Sequence, residues 1–410
     1  MIQQKKLMAA LWRLTCLIVN HKSKNKVWLI SDRLISATDN GYNFYHYAAT
    51  QKLANKLNRI KPIFVISRKS QAYRELKSKK YPVCAFGSFR HKLLFLKASK
   101  VVAAYTDRGR IYIFAENQPY IAGLMKYDFV YLEHGVMMGD FSKAHGGFNK
   151  DARLFTMASS IEQKDVKKIK RYDYVHEEAR LTGHPRLDAL LNSKKPEKIV
   201  LIVPTWRSSL EGEKDPKHID QWYYNEDFKN SDYFKFYNSL LKNKKLLAAV
   251  EENNYKLKFL IHPVFFAQYI DFKNSASDLV EVLKPPHDYI NLFKTSAIMV
   301  TDYSGVHSDF GYQMKPVVYS QFDKKHVENG GHYHEKSNFS WEKHAFGPIT
   351  KNVEETVYQI ISYIHNGAKM QKKYQNKVEK FFPLRDGKSS KRIYEALLEI
   401  DNSKLNKEEK

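Results

Sequence analysis

Short apolar runs alternate along the chain with longer stretches in which apolar residues recur at helical spacing. A mainly apolar run of four or five residues predicts a buried strand, and the longer stretches predict helices. The runs are Val27–Ile30, Ile63–Ile66, Val101–Ala104, Phe129–Leu132, Leu154–Met157, Ile199–Val203, Leu257–Ile261, Leu279–Leu283, Ala297–Val300 and Pro316–Tyr319. Apolar strands separated by helices are typical of parallel sheets covered on both faces. The pattern therefore predicts an α/β fold.

The apolar runs fall into two series, which predict two doubly wound domains. We place the first domain at residues 27–180 and the second at 181–365. Between the two series, Lys194-Lys195-Pro196 precedes the first run of the second series. From about residue 353 the chain reads as helices, and we treat 366–410 as a basic helical tail.

The segment 1–26 is a candidate amphipathic helix. It contains six lysines and arginines and no acidic residue, and Leu7, Leu11, Leu14 and Ile18 recur at helical spacing. Its apolar stretch holds about 13 residues, short of the roughly 20 that cross a bilayer. Such a helix either lies in an anionic membrane interface or docks on the protein's own core. Both alternatives leave the protein on the cytoplasmic side.

The net charge of the chain indicates which classes of partner it binds. The 410 residues include 68 Lys and Arg against 44 Asp and Glu, a net charge of +24. This excess favours polyanionic partners, namely nucleic acid, an anionic membrane or phosphate-bearing substrates. An apolar share of 43% argues against a disordered chain, and two cysteines exclude a disulfide scaffold.

Chemically versatile residues follow five of the predicted strands directly. In open parallel sheets, ligands bind beyond the carboxyl ends of the strands, so these positions are the candidates for a site. The five segments are His134-Gly135-Val136-Met137-Met138, Gly183-His184-Pro185-Arg186-Leu187-Asp188, Pro204-Thr205-Trp206-Arg207, His262-Pro263 and Thr301-Asp302-Tyr303-Ser304-Gly305.

Each segment suits phosphate chemistry in its own way. A histidine such as His134 accepts a hydroxyl proton near neutral pH or, when charged, holds a phosphate. Ser304 and Gly305 open a helix, where free backbone amides favour an anion. Arg186 and Arg207 offer guanidinium groups that can bind phosphate oxygens in pairs.

Taken together and in this order, the five segments resemble the CDP-glycerol glycerophosphotransferase family. That family comprises the teichoic-acid and capsule polymerases and primases of bacteria. The resemblance also includes Asp309 after Ser304-Gly305 and the later Phe346-Gly347-Pro348, and it runs from about residue 30 to about residue 365.

The resemblance implies a GT-B-like fold in which two doubly wound domains face a cleft, with CDP-alditol held mainly by the second domain. It implies transfer of glycerol phosphate or ribitol phosphate from CDP-glycerol or CDP-ribitol onto a lipid-linked or polymeric acceptor, with release of CMP. It also implies work at the cytoplasmic face of the membrane. No cofactor is required, and a divalent cation is compatible with this chemistry although no metal site is evident.

Residue roles follow from the resemblance position by position. His134 matches the family's proposed general base, and we expect His262 to stabilise the charge of the donor pyrophosphate as CMP departs. The donor contacts that the resemblance and the residue chemistry indicate are Gly135, Val136, Met137, Met138, Arg186, Pro204, Thr205, Arg207, Ser304, Gly305 and Asp309. Better-known members have Thr-Pro where this chain has Val136-Met137, and many have a second serine at Gly305.

Three other classes of function remain alternatives. A nucleotide-sugar glycosyltransferase of the same fold is the nearest one, and the donor consumed distinguishes it. A nucleic-acid-binding protein would suit the charge, but no P-loop, zinc finger or RRM-type motif is present. A metal hydrolase would need a ligand set such as His-Glu-x-x-His, which the chain lacks; His332-x-His334 is the nearest candidate.

Overall fold

The computed structural model describes residues 2–22, 26–105, 127–142, 152–170, 172, 177–191, 195–215, 222–284, 287–331 and 337–408. By its internal contacts the chain divides into two compact units. Unit 1 comprises Met1–Val136, Phe141–Ala189 and Leu384–Lys410, and unit 2 comprises Met137–Asp140 and Leu190–Pro383.

Strands occur where the apolar runs predict them, and further short ones complete each sheet. The strands are β1 Lys26–Ser31, β2 Ile60–Ile66, β3 Val83–Ala85, β4 Ala98–Ala103, β5 Asp128–Tyr131, β6 Ala152–Met157, β7 Ala179–Leu181, β8 Ile199–Ile202, β9 Lys256–Leu260, β10 Val280–Leu283, β11 Ile298–Thr301, β12 Val317–Ser320 and β13 Ile349–Thr350.

Helices cover the connections between the strands. Those of unit 1 are Ile2–Lys22, Asn40–Thr50, Lys52–Leu57, Gln71–Ser78, Phe89–Leu96, Ser160–Lys168 and Ser389–Glu408, and Pro185–Leu191 begins there. Those of unit 2 are Asp232–Leu241, Lys244–Glu252, Tyr269–Ser275, Tyr289–Thr295, Val306–Tyr312, Lys324–His326, Trp341–His344, Val353–His365 and Lys372–Phe381.

The apolar pattern predicts one helix over residues 42–58 and another over residues 233–252, and in the structure an asparagine divides each of them in two. The stretch after β1 breaks at Gln51, where the Asn55 side chain donates to the carbonyl of Ala48 at 2.7 Å. The stretch 233–252 breaks before Asn243, whose side chain accepts from the amide of Leu246 and starts a new helix.

The sheet of unit 1 has seven parallel strands in the order β3-β2-β1-β4-β5-β6-β7, and that of unit 2 has six in the order β10-β9-β8-β11-β12-β13. Both are parallel throughout their pairings, as the continuous apolar runs predict. The strand order reverses at β1/β4 in one sheet and at β8/β11 in the other. Such reversals are the points at which open α/β sheets bind ligands.

The division into units differs from the expected domains at Met137–Asp140, which belongs to unit 2, and at two further places. The chain passes from unit 1 to unit 2 after Ala189 rather than at 180, and the tail from Leu384 belongs to unit 1. Asp188 explains the last of these differences, because its carboxylate accepts from the amides of Ser389 and Ser390 at 3.0 and 2.8 Å. It thereby caps the start of the helix Ser389–Glu408.

A buried lysine attaches that C-terminal helix to the sheet of unit 1. Lys100 on β4 is fully buried and donates to Asp128 at 3.0 Å and to Asp401 of the helix. Asp401 also pairs with Lys26 at 3.1 Å. The charges of the Asp128 and Asp401 carboxylates are thus balanced by the buried ammonium group of Lys100 and the half-buried one of Lys26.

We expect Lys100→Met to lower the free energy of unfolding by about 3–5 kcal/mol, because it leaves buried carboxylates without their partner. Urea unfolding measures the effect. The matched control is Arg153→Met, since Arg153 is mostly exposed and lies 3.9 Å from the other oxygen of Asp128. Equal stability of the two variants would contradict this account.

Candidate functional site

Polar side chains of unit 1 gather at the carboxyl ends of β1, β4 and β5, beside the point where the strand order reverses. Asp32 follows β1, Tyr105 follows β4, and Glu133 and His134 follow β5. Because parallel strands end at one edge of the sheet, residues far apart in sequence meet here.

His134 is held by the residue that precedes it. Its Nδ1 lies 2.7 Å from Oε1 of Glu133, whose side chain is only 2% exposed, whereas half of the His134 side chain is exposed. Burial lowers the pKa of His134, but the charge and hydrogen bond of Glu133 and the charge of Asp39 outweigh it, so the pKa is raised above its ordinary value. The other ring nitrogen, Nε2, lies on the side away from Glu133.

Tyr105 and Arg186 complete the surroundings of His134. The Tyr105 ring stacks on the imidazole with a centroid distance of 4.9 Å, and its hydroxyl donates to Asp39 at 2.8 Å. Arg186 pairs with the other Asp39 oxygen at 2.9 Å and also donates to the carbonyl of His134. Asp39 therefore connects the aromatic and the cationic neighbour of the histidine.

A second histidine of unit 1, His184, lies close to this group and is fully buried. Burial, with a smaller contribution from Arg186, lowers its pKa to about 3. His184 is therefore neutral at physiological pH and is not suited to hold a phosphate by charge.

In unit 2 the corresponding edge is organised by an arginine and two aspartates. Asp302 follows β11 and accepts from Arg207, from Tyr237 and from the amides of Thr205 and Tyr303. These bonds join the loops after β8 and β11, which flank the reversal of strand order.

The structure corrects the expectation that Arg207 binds the donor phosphates. The side chain is 1% exposed, and all five N–H donors of its guanidinium are engaged by Asp302, Asp323 and the carbonyls of Thr205 and Trp206. No donor remains for a phosphate, so Arg207 shapes these loops rather than contacting the ligand.

The other predicted positions of unit 2 lie along the same edge. Pro204 and Thr205 are buried directly after β8, and the ring of Trp206 lies 6.2 Å from that of His262, which follows β9. His262 caps the turn that follows it, because its Nδ1 accepts from the amide of Val264 at 3.3 Å.

Met138, Ser304 and Gly305 lie near the start of the helix Val306–Tyr312. Met138 belongs to unit 2, where its sulfur contacts Nε2 of His307, and a Cβ built on Gly305 would lie 3.8 Å from its Cε. Burial lowers the pKa of His307 to about 3, so this contact is made by a neutral ring. The space beside Gly305 is thus bounded by a thioether.

The remaining predicted positions divide between the two units. Asp309 lies in the helix Val306–Tyr312 and is 3% exposed. Gly135 and Val136 belong to unit 1, and the Cβ position of Gly135 lies 3.9 Å from Arg186; Met137 is buried and belongs to unit 2. Among the described residues, no three His, Cys, Asp or Glu side chains are grouped so that they could hold a metal ion.

Several residues of both sites escape prediction from the sequence. Asp39, Tyr105 and Asp323 belong to no recognisable motif, and their importance follows only from the hydrogen bonds that they make. Asp302 stands in a motif, but the sequence does not reveal that its carboxylate joins two loops. The one available signal is position, since Tyr105, Asp302 and Asp323 lie shortly after a strand and Asp39 directly precedes a helix.

Two α/β units, each built on a parallel sheet, define a GT-B-like fold. Solved structures of similar fold include the wall teichoic acid polymerase TagF, with a TM-score of 0.64, 17% identity, and coverage of 99% of this chain and 95% of that one. A UDP-N-acetylglucosamine 2-epimerase from Neisseria meningitidis matches with a TM-score of 0.51, 12% identity, and coverage of 91% of this chain and 100% of that one.

The chain belongs to the CDP-Glycerol:Poly(glycerophosphate) glycerophosphotransferase family, whose sequence profile matches residues 13–399. It is 36% identical over 407 residues to the minor teichoic acid biosynthesis protein GgaB of Bacillus subtilis (strain 168), covering 98% of this chain and 43% of that protein. The teichoic acid poly(glycerol phosphate) polymerase of Bacillus spizizenii is 26% identical over 232 residues, covering 56% of this chain and 51% of the polymerase. The chain thus spans about half the length or less of these relatives.

We expect Arg207→Lys to destabilise unit 2, because the three donors of a lysine nitrogen cannot replace the five hydrogen bonds that the guanidinium makes to Asp302, Asp323 and two backbone carbonyls. Each buried acceptor left unpaired costs about 1–3 kcal/mol. Thermal unfolding measures the loss, with Arg385→Lys, which lies outside this group, as the control. An unchanged melting temperature in Arg207→Lys would refute the role of Arg207 in holding these loops of unit 2.

Proposed function

We propose that this protein transfers glycerol phosphate or ribitol phosphate from a CDP-alditol to a polymeric or lipid-linked acceptor and releases CMP. Family membership and the teichoic-acid relatives support this reaction class. The observation that carries the proposal is the His134–Glu133 pair, an exposed imidazole whose Nδ1 is held by a buried carboxylate.

The role proposed for His134 is that of the general base. Because Glu133 accepts a hydrogen bond from Nδ1, the neutral ring carries its lone pair on Nε2, where it can take a proton. The acceptor oxygen then forms a bond to the phosphorus that bears the alditol, the bond from that phosphorus to CMP breaks, and the acceptor proton goes to Nε2.

The donor groups proposed for unit 2 are those at the carboxyl edge of its sheet. Backbone amides at Ser304 and Gly305 and the side chain of His262 would meet the pyrophosphate, and Asp309 would accept from hydroxyl groups. Phosphoryl transfer depends mainly on positioning and on neutralising charge, so a rigid edge suits it. The Arg207–Asp302–Asp323 group supplies this rigidity through buried ion pairs.

The excess of basic residues agrees with a polyanionic substrate and product. A pyrophosphate donor and a phosphate-containing acceptor are both attracted by a protein of net charge +24, which raises the rate of encounter. Among the three polyanions that the composition suggests, the family favours phosphate-bearing substrates over nucleic acid.

Incubation of the purified protein with CDP-glycerol, CDP-ribitol and UDP-sugars, each with a glycerol-phosphate oligomer as acceptor, tests the reaction class. We expect CMP and a product heavier by one alditol phosphate. Consumption of a UDP-sugar with release of UDP would instead establish a glycosyltransferase and refute the proposal.

In the same assay, His134→Ala should lower turnover by at least ~100-fold, since general base catalysis contributes about 10²–10⁴-fold. Binding of the CDP-alditol, measured by calorimetry, should persist. Turnover close to that of the unmodified protein would remove His134 from the role of base.

We further propose that the protein works at the cytoplasmic face of the membrane, held there by the helix Ile2–Lys22. One side of this helix packs on the protein, where Ala9, Trp12 and Cys16 are buried and the Trp12 ring lies 6.1 Å from that of Phe89. Another side leaves Leu7, Leu11, Leu14, Leu17 and Ile18 at least half exposed. No described helix is long and apolar enough to cross a bilayer.

An exposed apolar face among basic residues suits the interface of an anionic bilayer. Leu11→Glu with Leu14→Glu should therefore reduce sedimentation with phosphatidylglycerol vesicles several-fold. Each change replaces a leucine that would contact the lipid acyl chains by a carboxylate that the anionic headgroups repel. The control is Leu53→Glu with Leu57→Glu, which alters two leucines on another helix that are even more exposed than Leu11 and Leu14. Equal binding of both double variants would contradict the proposed anchor.

A further inference from the structure

We propose that Glu133 is a positioning residue that fixes the tautomer, the orientation and the basicity of His134. This inference rests on the proposed function, in which His134 is the base. Glu133 itself does not contact substrate, since its side chain is only 2% exposed and is enclosed by protein groups.

The carboxylate of Glu133 has a defined hydrogen-bond partner on each oxygen. Oε1 accepts from the backbone amide of His134 at 2.8 Å and faces its Nδ1 at 2.7 Å. Oε2 accepts from the hydroxyl of Tyr131 at 2.8 Å. With both oxygens held, the carboxylate cannot rotate freely, and the imidazole that it contacts has one preferred orientation.

The backbone of Glu133 reaches this arrangement through an unfavourable conformation. Its φ is +54°, in the left-handed region that a glutamate seldom adopts. The side chain of Asn40 stabilises the turn by donating to the carbonyl of Glu133 at 2.5 Å and, more weakly, to that of Leu132 at 3.4 Å. Such conformations cost about 1–3 kcal/mol and persist where the surroundings enforce them, often at functional sites.

The left-handed turn has a geometrical consequence. It folds the Glu133 side chain back so that one carboxylate oxygen reaches both the amide and the ring of the next residue. Adjacent residues in an extended chain point to opposite sides and do not make this contact. The strain at Glu133 is therefore the condition for a carboxylate and an imidazole to pair across a single peptide bond.

Several charged and titratable groups face the His134 ring, and Glu133 contributes most among those that raise its pKa. Asp39, which precedes the helix Asn40–Thr50, raises the pKa as well, whereas Arg186 on the helix Pro185–Leu191 lowers it. Tyr105 stacks on the ring, and the neutral His184 lies nearby. Removal of the Glu133 charge should leave burial and Arg186 to dominate, so that the pKa of His134 falls.

The variant Glu133→Gln tests this role because it keeps the shape of the side chain and removes its charge. A base is active when unprotonated, so the acid limb of the profile of kcat against pH reports the pKa of His134. We expect this limb to move to lower pH in Glu133→Gln. We also expect kcat at its optimum to fall by about 10- to 100-fold, because a less constrained ring is more often misplaced, with the KM for the CDP-alditol unchanged.

The matched control is Glu162→Gln, which neutralises another fully buried carboxylate of unit 1. Glu162 accepts from the amides of Ala158 and Ser159 and takes no part in the His134 surroundings. This change should lower the melting temperature and leave the acid limb in place. A shift of the limb in both variants would show a general effect of stability and overturn the proposal.

Tyr131→Phe provides a second variant should Glu133→Gln fold poorly. It removes the hydroxyl that holds Oε2 but keeps the carboxylate charge, so the acid limb should stay in place while kcat falls. If Glu133→Gln keeps both the acid limb and the full kcat while His134→Ala is inactive, the role of Glu133 is refuted and the proposed base is not. Full activity of His134→Ala would refute the proposed base instead.

Discussion

Parallel strands end at a common edge, and this constraint determines where the functional residues of both units lie. In unit 1 the residues after β1, β4 and β5 meet beside the reversal of strand order, and in unit 2 those after β8 and β11 do so. The buried apolar strands supply the rigidity of each edge, while the loops beyond them carry the polar chemistry. The loops can thus vary in sequence without altering the sheets.

Buried and partly buried carboxylates organise these edges more than cations do. Asp302 joins two loops through four hydrogen-bond donors, and Asp39 connects Tyr105 with Arg186. A basic protein thus places its few buried acids where they orient other groups. The arginines that the sequence offers as phosphate ligands, Arg186 and Arg207, are both bound by such acids, and Arg207 has no donor left for a ligand.

The sequence predicts the strands well because parallel strands covered on both faces appear as short, mainly apolar runs. Helix ends are predicted less well, since a single residue such as Asn55 or Asn243 interrupts a helix by bonding the backbone. The family and the position of His134 follow from ordered motifs. The partners of His134 do not, because Asp39 and Tyr105 reach it only through folding, and the left-handed turn at Glu133 leaves no compositional trace.

The attachment of the helix Ser389–Glu408 to unit 1 has a consequence for synthesis on the ribosome. Lys100 is made early, whereas its partner Asp401 and the Ser389 and Ser390 amides that Asp188 caps are made only after all of unit 2. Unit 2 is nearly continuous in sequence and can fold as it emerges. Until the residues of this helix have been synthesised, Lys100 has Asp128 but lacks Asp401, and the carboxylate of Asp188 lacks the two amides that it caps.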